Sequence, residues 1–102
     1  MSAPYDQLDY YPLRTYNFEA LTVAGSSIGF TAATATTAKL AVAKVESAQI
    51  RYRTDGTAPT ATVGVVADPG DVIQVWGSAD ILAFRAIRTG GVSATLSTEF
   101  SR

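Results

Sequence analysis

Few side chains in this sequence can do chemistry, and their spacing limits what chemistry that is. Asp55, Asp68, Asp71 and Asp80 each fall in a stretch rich in turn residues, and oxygen-rich loops are how proteins hold calcium. Their spacing matches no calcium loop, and aspartate beside glycine is ordinary turn chemistry, so no metal site is expected. A carboxylate pair for glycoside hydrolysis would need a cleft and one raised pKa, and the pattern supplies neither. The 102 residues include no histidine and no cysteine. That removes the usual general base, zinc ligand, pH switch and thiolate nucleophile together, and with them Ser-His-Asp and Cys-His mechanisms. The expectation is a protein without enzymatic activity and without a cofactor.

Binding chemistry is better represented. Trp76 and the tyrosines could stack on sugar rings, as in carbohydrate-binding modules. A single tryptophan at a strand end is more often a core or interface residue. Arg51, Arg53, Arg85 and Arg88 can line sheet faces; arginine is favoured at protein interfaces, although a solvated face is the default. Arg51, Arg53, Trp76 and Arg85 are therefore the candidate interface residues. Residues 1–16 hold Pro4, Pro12, Tyr5, Tyr10, Tyr11 and Tyr16 with no period of a helix or strand. Two prolines without periodicity argue for an extended arm, and rings on an arm serve as docking anchors. The plainer reading is that these tyrosines cover the domain's own sheet.

The elements that must position these groups read as strands. In Gln49 to Thr54, Ile50, Tyr52 and Thr54 alternate with Gln49, Arg51 and Arg53, so one edge faces a core and the arginines face water. Asp55-Gly56 supplies the positive φ of a tight turn, and Pro59 halts further ladder bonds. Before this stretch, Asn17 to Val23 and Ser27 to Thr31 read as strands. Ala32 to Ala38 reads as a loop with at most one helical turn, because alanine and threonine propensities nearly cancel. Lys39 to Glu46 alternates again, and Ser47-Ala48 marks a bulge or corner.

After the Asp55-Gly56 turn come Thr62 to Val66, a strong turn around Pro69-Gly70, and Val72 to Trp76. Gly77 to Asp80 turns into Ile81 to Arg88, which is apolar on both sides apart from its arginines and reads as a strand covered on both faces. Val92 to Phe100 closes the chain as a half-buried strand. Seven or eight short strands at this spacing indicate an all-β sandwich over residues 17–102, with a small β-barrel as the alternative.

Composition agrees with one compact domain: 47% of residues are hydrophobic and the formal net charge is −1. Near-neutral charge offers no electrostatic case for nucleic acid. No apolar run reaches the roughly 20 residues of a membrane helix. The first residues lack the basic and apolar regions of a secretory signal.

Ile50-Arg-Tyr-Arg-Thr-Asp-Gly-Thr-Ala-Pro-Thr60 resembles the Tyr-x-Thr-Asp-Gly-x-x-Pro-Thr signature of the immunoglobulin-like modules at the C-termini of chitobiase and hexosaminidase-type enzymes. Ile81 to Ile87 and Ser93 to Leu96 are similar to that module's closing strands. The same turn, with Gly64, Gly70-Asp71 and Phe84 to Ile87, also resembles a group of small tailed-phage proteins. These resemblances imply an immunoglobulin-like sandwich. The second implies a virion structural protein, assembled in the host cytoplasm: a homo-oligomeric capsid decoration or cement protein bound to the major capsid protein or other virion proteins. A head-to-tail connector or tail component is the alternative within that class, and a carbohydrate-binding module the alternative outside it. Asp55, Gly56, Pro59 and Gly70 are then structural turn residues.

Overall fold

A computed structural model describes residues 13–102. Tyr5, Tyr10 and Tyr11 of the expected arm lie outside the described residues. The elements run β1 (Thr15–Val23), α1 (Ala32–Ala35), β2 (Leu40–Glu46), β3 (Ile50–Arg53), β4 (Val65–Ala67), β5 (Val72–Trp76), α2 (Ser78–Ala83), β6 (Arg85–Arg88) and β7 (Ala94–Ser101). Two antiparallel sheets form, one in the order β1-β7-β2-β5 and the other β4-β3-β6. The architecture is thus an all-β sandwich of two separate sheets. The last strand sits between β1 and β2, whereas an immunoglobulin constant domain places it at a sheet edge, beside its sixth strand.

Each strand of the larger sheet turns one row of apolar side chains inward. Leu21 and Val23 of β1, Ala41, Ala43 and Val45 of β2, Ile73 and Val75 of β5, and Ala94, Leu96 and Phe100 of β7 are buried. Ile50, Ala67 and Ala86 answer from the second sheet. Among the described residues Thr98 is the buried polar side chain, and its hydroxyl donates to the Leu96 carbonyl. The inward alanines of β2, β6 and β7 leave room between the sheets for large rings. Phe30 stacks on Phe84 at 4.5 Å and meets Phe100 edge-on at 5.2 Å, while Tyr52 lies 5.6 Å from Phe84. Tyr52 belongs to β3 and Phe100 to β7, so the four rings connect one sheet to the other through two loop residues.

Several expectations need correction. β1 starts at Thr15, so Tyr16 belongs to the sandwich and not to an arm. Its hydroxyl donates to the Thr34 carbonyl, and Arg102 lies over its ring at 4.1 Å. Ser27 to Thr31 makes only a single bridge, Ile28 with Ala86, instead of a strand. The strand expected over Thr62 to Val66 is shortened to Val65–Ala67, because Thr60 and Val63 close a turn on each other. The strand expected from Ile81 begins only at Arg85. Residues 78–83 form a helix that buries Ile81 and leaves Leu82 exposed, and Phe84, also buried, follows three residues after Ile81. An inward pair at that spacing suits a helical turn running into an extended residue, whereas a strand would put Ile81 and Phe84 on opposite faces.

The turns behave as their residues require. Gly56 and Gly70 have φ of 87° and 97°, the region that glycine alone enters without cost. The corner after β2 is made by Ser47, which takes φ of 81°. Gly29 serves a different purpose: a Cβ there would lie 2.7 Å from the Phe84 carbonyl oxygen, so only glycine lets the 24–31 segment carry Phe30 onto Phe84. Gly29→Ala is expected to lower unfolding free energy by about 1–3 kcal/mol in urea denaturation, as other overpacked sites do. Gly91→Ala, where a Cβ meets nothing within 4 Å, is expected to stay within about 0.5 kcal/mol of the parent.

Candidate partner-binding surfaces

Antiparallel register decides which outward side chains become neighbours. On the outer face of the three-stranded sheet, Arg53 stands opposite Arg85, and Arg51 stands between Ile87 of β6 and Val66 of β4. Two like charges directly across a ladder repel unless a counter-charge is supplied. Asp55 supplies it: the Arg53 Nε and Nη2 both donate to its carboxylate, which also accepts the Thr57 backbone N–H. The Arg53 hydrogen bond first, and the Thr57 N–H second, hold the Asp55 carboxyl below its usual range, and the same pair raises Arg53. Arg51 is turned to another use, donating to the carbonyls of Ala61 and Gly64 and so fastening the loop before β4.

The remaining turn carboxylates are employed locally. Asp68 accepts from Gln49 Nε2, the Asp71 carboxylate accepts the Asp68 N–H, and Asp80 sits in the first turn of α2. Among the described residues no three His, Cys, Asp or Glu side chains gather around a common point. Two depressions flank the β3–β4 loop. One, of about 410 Å³, is lined by Gly56, Ala58, Leu82, Ala83 and Arg85. The other, of about 290 Å³, is lined by Arg53, Thr54, Asp55, Val63, Gly64 and Val65. The first carries Arg85 as its charged group, and the second an arginine already paired with its aspartate. Such walls can seat a partner's side chain, and they contain no free base beside a nucleophile.

Trp76 is elsewhere. It ends β5 on the four-stranded sheet, opposite Leu40, with Nε1 donating to Gln74 Oε1 at 3.4 Å. The structure therefore divides the candidate interface residues: Arg51, Arg53 and Arg85 share one outer face, and Trp76 lies on the other sheet. Around Trp76 the register assembles a surface that residue types alone did not reveal. Outward rows run Thr15-Ser101-Leu40-Trp76, Phe18-Glu99-Val42-Gln74 and Ala20-Ser97-Lys44-Val72. Phe18, Val72 and Trp76 are 57%, 57% and 49% exposed. The alternation of Phe18 against the buried Leu21 and Val23 was the available signal, but it does not say which strands lie side by side.

No protein-family model, no curated protein and no solved structure matches the chain. Its surfaces must be read from their own chemistry.

The Arg53–Asp55 pair fixes the pH response of the first surface. A carboxylate whose folded pKa is depressed contributes stability in full above its unfolded value, here 3.8, and loses it as pH falls through the lower folded value. Because the pair is exposed, the effect is small. Wild type and Asp55→Asn are expected to differ in urea midpoint near neutral pH, and that difference to shrink only as pH falls below about 4 toward the lower folded value of Asp55. A difference that stays constant through that range would show that the pair contributes nothing.

Proposed function

We propose that this protein is a non-enzymatic structural component of a tailed-phage virion, a decoration or cement protein that binds the assembled capsid. The observation that carries the reading is a two-sheet body with large apolar side chains, Phe18, Val72 and Trp76, standing on the outside of one sheet. Exposed apolar groups that gather on one face mark an interaction surface; here Leu40 and Val42 of β2 lie beside Trp76 and Gln74, and Glu99 of β7 stands between Val42 and Phe18. The resemblance of the Ile50 to Thr60 turn and the Phe84 to Ile87 segment to small phage proteins supports the choice of partner. In this reading the body spans neighbouring capsid subunits, and the tyrosines of the segment 1–12 add anchors. A ligand that binds only the assembled state stabilises it by mass action, so occupied particles resist heat and expansion better than bare ones.

Trp76 favours a second reading. A half-exposed indole on the outer face of a sheet is the kind of platform on which a sugar ring stacks, which suits a carbohydrate-binding module. Saturable glycan binding that disappears in Trp76→Ala would select that reading. Copy number separates positions on the particle: hundreds of copies fit a capsid lattice, and about a dozen fit a ring at the head-to-tail junction or in the tail.

Deletion must spare the sandwich. Arg14 exchanges backbone hydrogen bonds with Arg102, and β1 begins at Thr15, so removal of residues 2–12 leaves both intact. The truncated protein is expected to keep its circular dichroism and urea midpoint while losing at least about tenfold in affinity for purified particles in a co-sedimentation assay. Full occupancy of particles by the truncated chain would remove the N-terminal segment from the binding mechanism.

A further inference from the structure

We infer that β5 is a self-association edge, through which two copies of this chain join their four-stranded sheets into one continuous eight-stranded sheet. The inference is independent of the virion reading.

The argument starts from the four sheet edges. An edge strand presents unpaired backbone groups, and proteins blunt such edges with charges, bulges, brevity or a covering segment. β1 carries a register shift between Thr15 and Asn17, and its side chains are tied to the 31–37 segment: Asn17 donates to Thr34, and Glu19 accepts from Thr31. β6 is covered from outside by the 24–28 segment, since Ile28 exchanges both backbone hydrogen bonds with Ala86 and the Arg88 N–H donates to Ala24. β4 has three residues and is followed by Asp68-Pro69. Among the described residues, β5 shows none of these devices. It is a five-residue run, Val-Ile-Gln-Val-Trp, without charge, proline or register shift, and it pairs on one side with β2.

Its sequence is also self-complementary. In an antiparallel pairing about a twofold axis through Gln74, Trp76 faces Val72 of the second copy, Ile73 faces Val75, and Gln74 faces its own equivalent. This is the isologous arrangement that a closed dimer requires. Inward and outward faces stay in phase, because a register centred on one residue keeps side chains of like orientation together. On the outer face the row then reads Lys44-Val72 and, from the second copy, Trp76-Leu40, so the two most exposed apolar groups of β5 cover each other. No like charges are brought opposite. Two five-residue edges with two Trp-Val contacts make a small interface, the size class of weak and transient encounters, so a dissociation constant of roughly micromolar order is expected.

The test is sedimentation equilibrium on the full chain from about 1 to about 500 µM, a range that brackets such a constant. Wild type is expected to pass from monomer to dimer. Gln74 is exposed, so Gln74→Lys and Gln74→Glu preserve the fold, checked by circular dichroism, and put like charges face to face across the axis. Each variant alone is expected to weaken dimerisation at least about tenfold, and an equimolar mixture of the two to recover it. Trp76→Ser, which removes the outer contact without adding charge, is expected to weaken it as well. A wild type that remains monomeric throughout, variants that dimerise like wild type, or a mixture that fails to recover association would each overturn the proposal. So would a dimer that Phe18→Lys abolishes while Gln74→Lys leaves it unchanged.

Discussion

The contact on which the rest of this structure depends is the run of rings Tyr52, Phe84, Phe30 and Phe100 between the sheets. β3 and β7 contribute the two ends, and two residues outside any strand contribute the middle. Each ring pair is worth roughly 0.5–1.5 kcal/mol beyond the area it buries. Because each neighbour leans on the next, loss of one ring would release the loop that carries the other. The alanines that line the strands make sense in this light: small side chains on β2, β6 and β7 leave the space the rings fill. Gly29 belongs to the same arrangement, since its missing Cβ is what lets the 24–31 segment approach the Phe84 backbone.

A body fixed from within has its functional variety on its outside. The two outer faces differ in kind. One carries Arg51 and Arg53, committed to loop carbonyls and to Asp55, with Arg85 and the exposed Val66 beside them; the other carries no arginine pair in its outward rows and sets Phe18, Val72 and Trp76 in register with small polar residues. The first face is held in place by charge and geometry, so a partner would meet a preset shape. The second gains by being covered. An uncharged edge strand next to that second face extends the same logic from the plane of the sheet to its border.

Much of this was legible in the residues. Alternation in Leu40 to Glu46 and Ala94 to Phe100 gave the two central strands of the larger sheet, and Asp55-Gly56 and Pro69-Gly70 marked the turns that glycine's positive φ makes possible. Ser47 was legible as a corner. Residues 78–84 were not, because a short apolar stretch has no period long enough to separate a helical turn from a strand; burial of Ile81 with Phe84 and exposure of Leu82 decide it. Tyr16 was read as part of an arm because two prolines precede it. Its hydroxyl bond to Thr34 and its packing against Arg102 are long-range facts. The division of Arg51, Arg53 and Arg85 from Trp76 was invisible for the same reason: alternation tells which side of a strand a residue takes, but strand order tells which sheet it joins.

We propose that the protein acts by occupying surface with a body that does not rearrange. Hydrogen exchange of the full chain, free and mixed with assembled phage particles, measures this directly. The expected result is that amides of the central strands β2 and β7 are already slow in the free protein and unchanged on mixing, while added protection falls on the N-terminal segment and on the edge strands β1 and β5. Absence of added protection anywhere, or slowing confined to β2 and β7 that signals a refolded core, would contradict it.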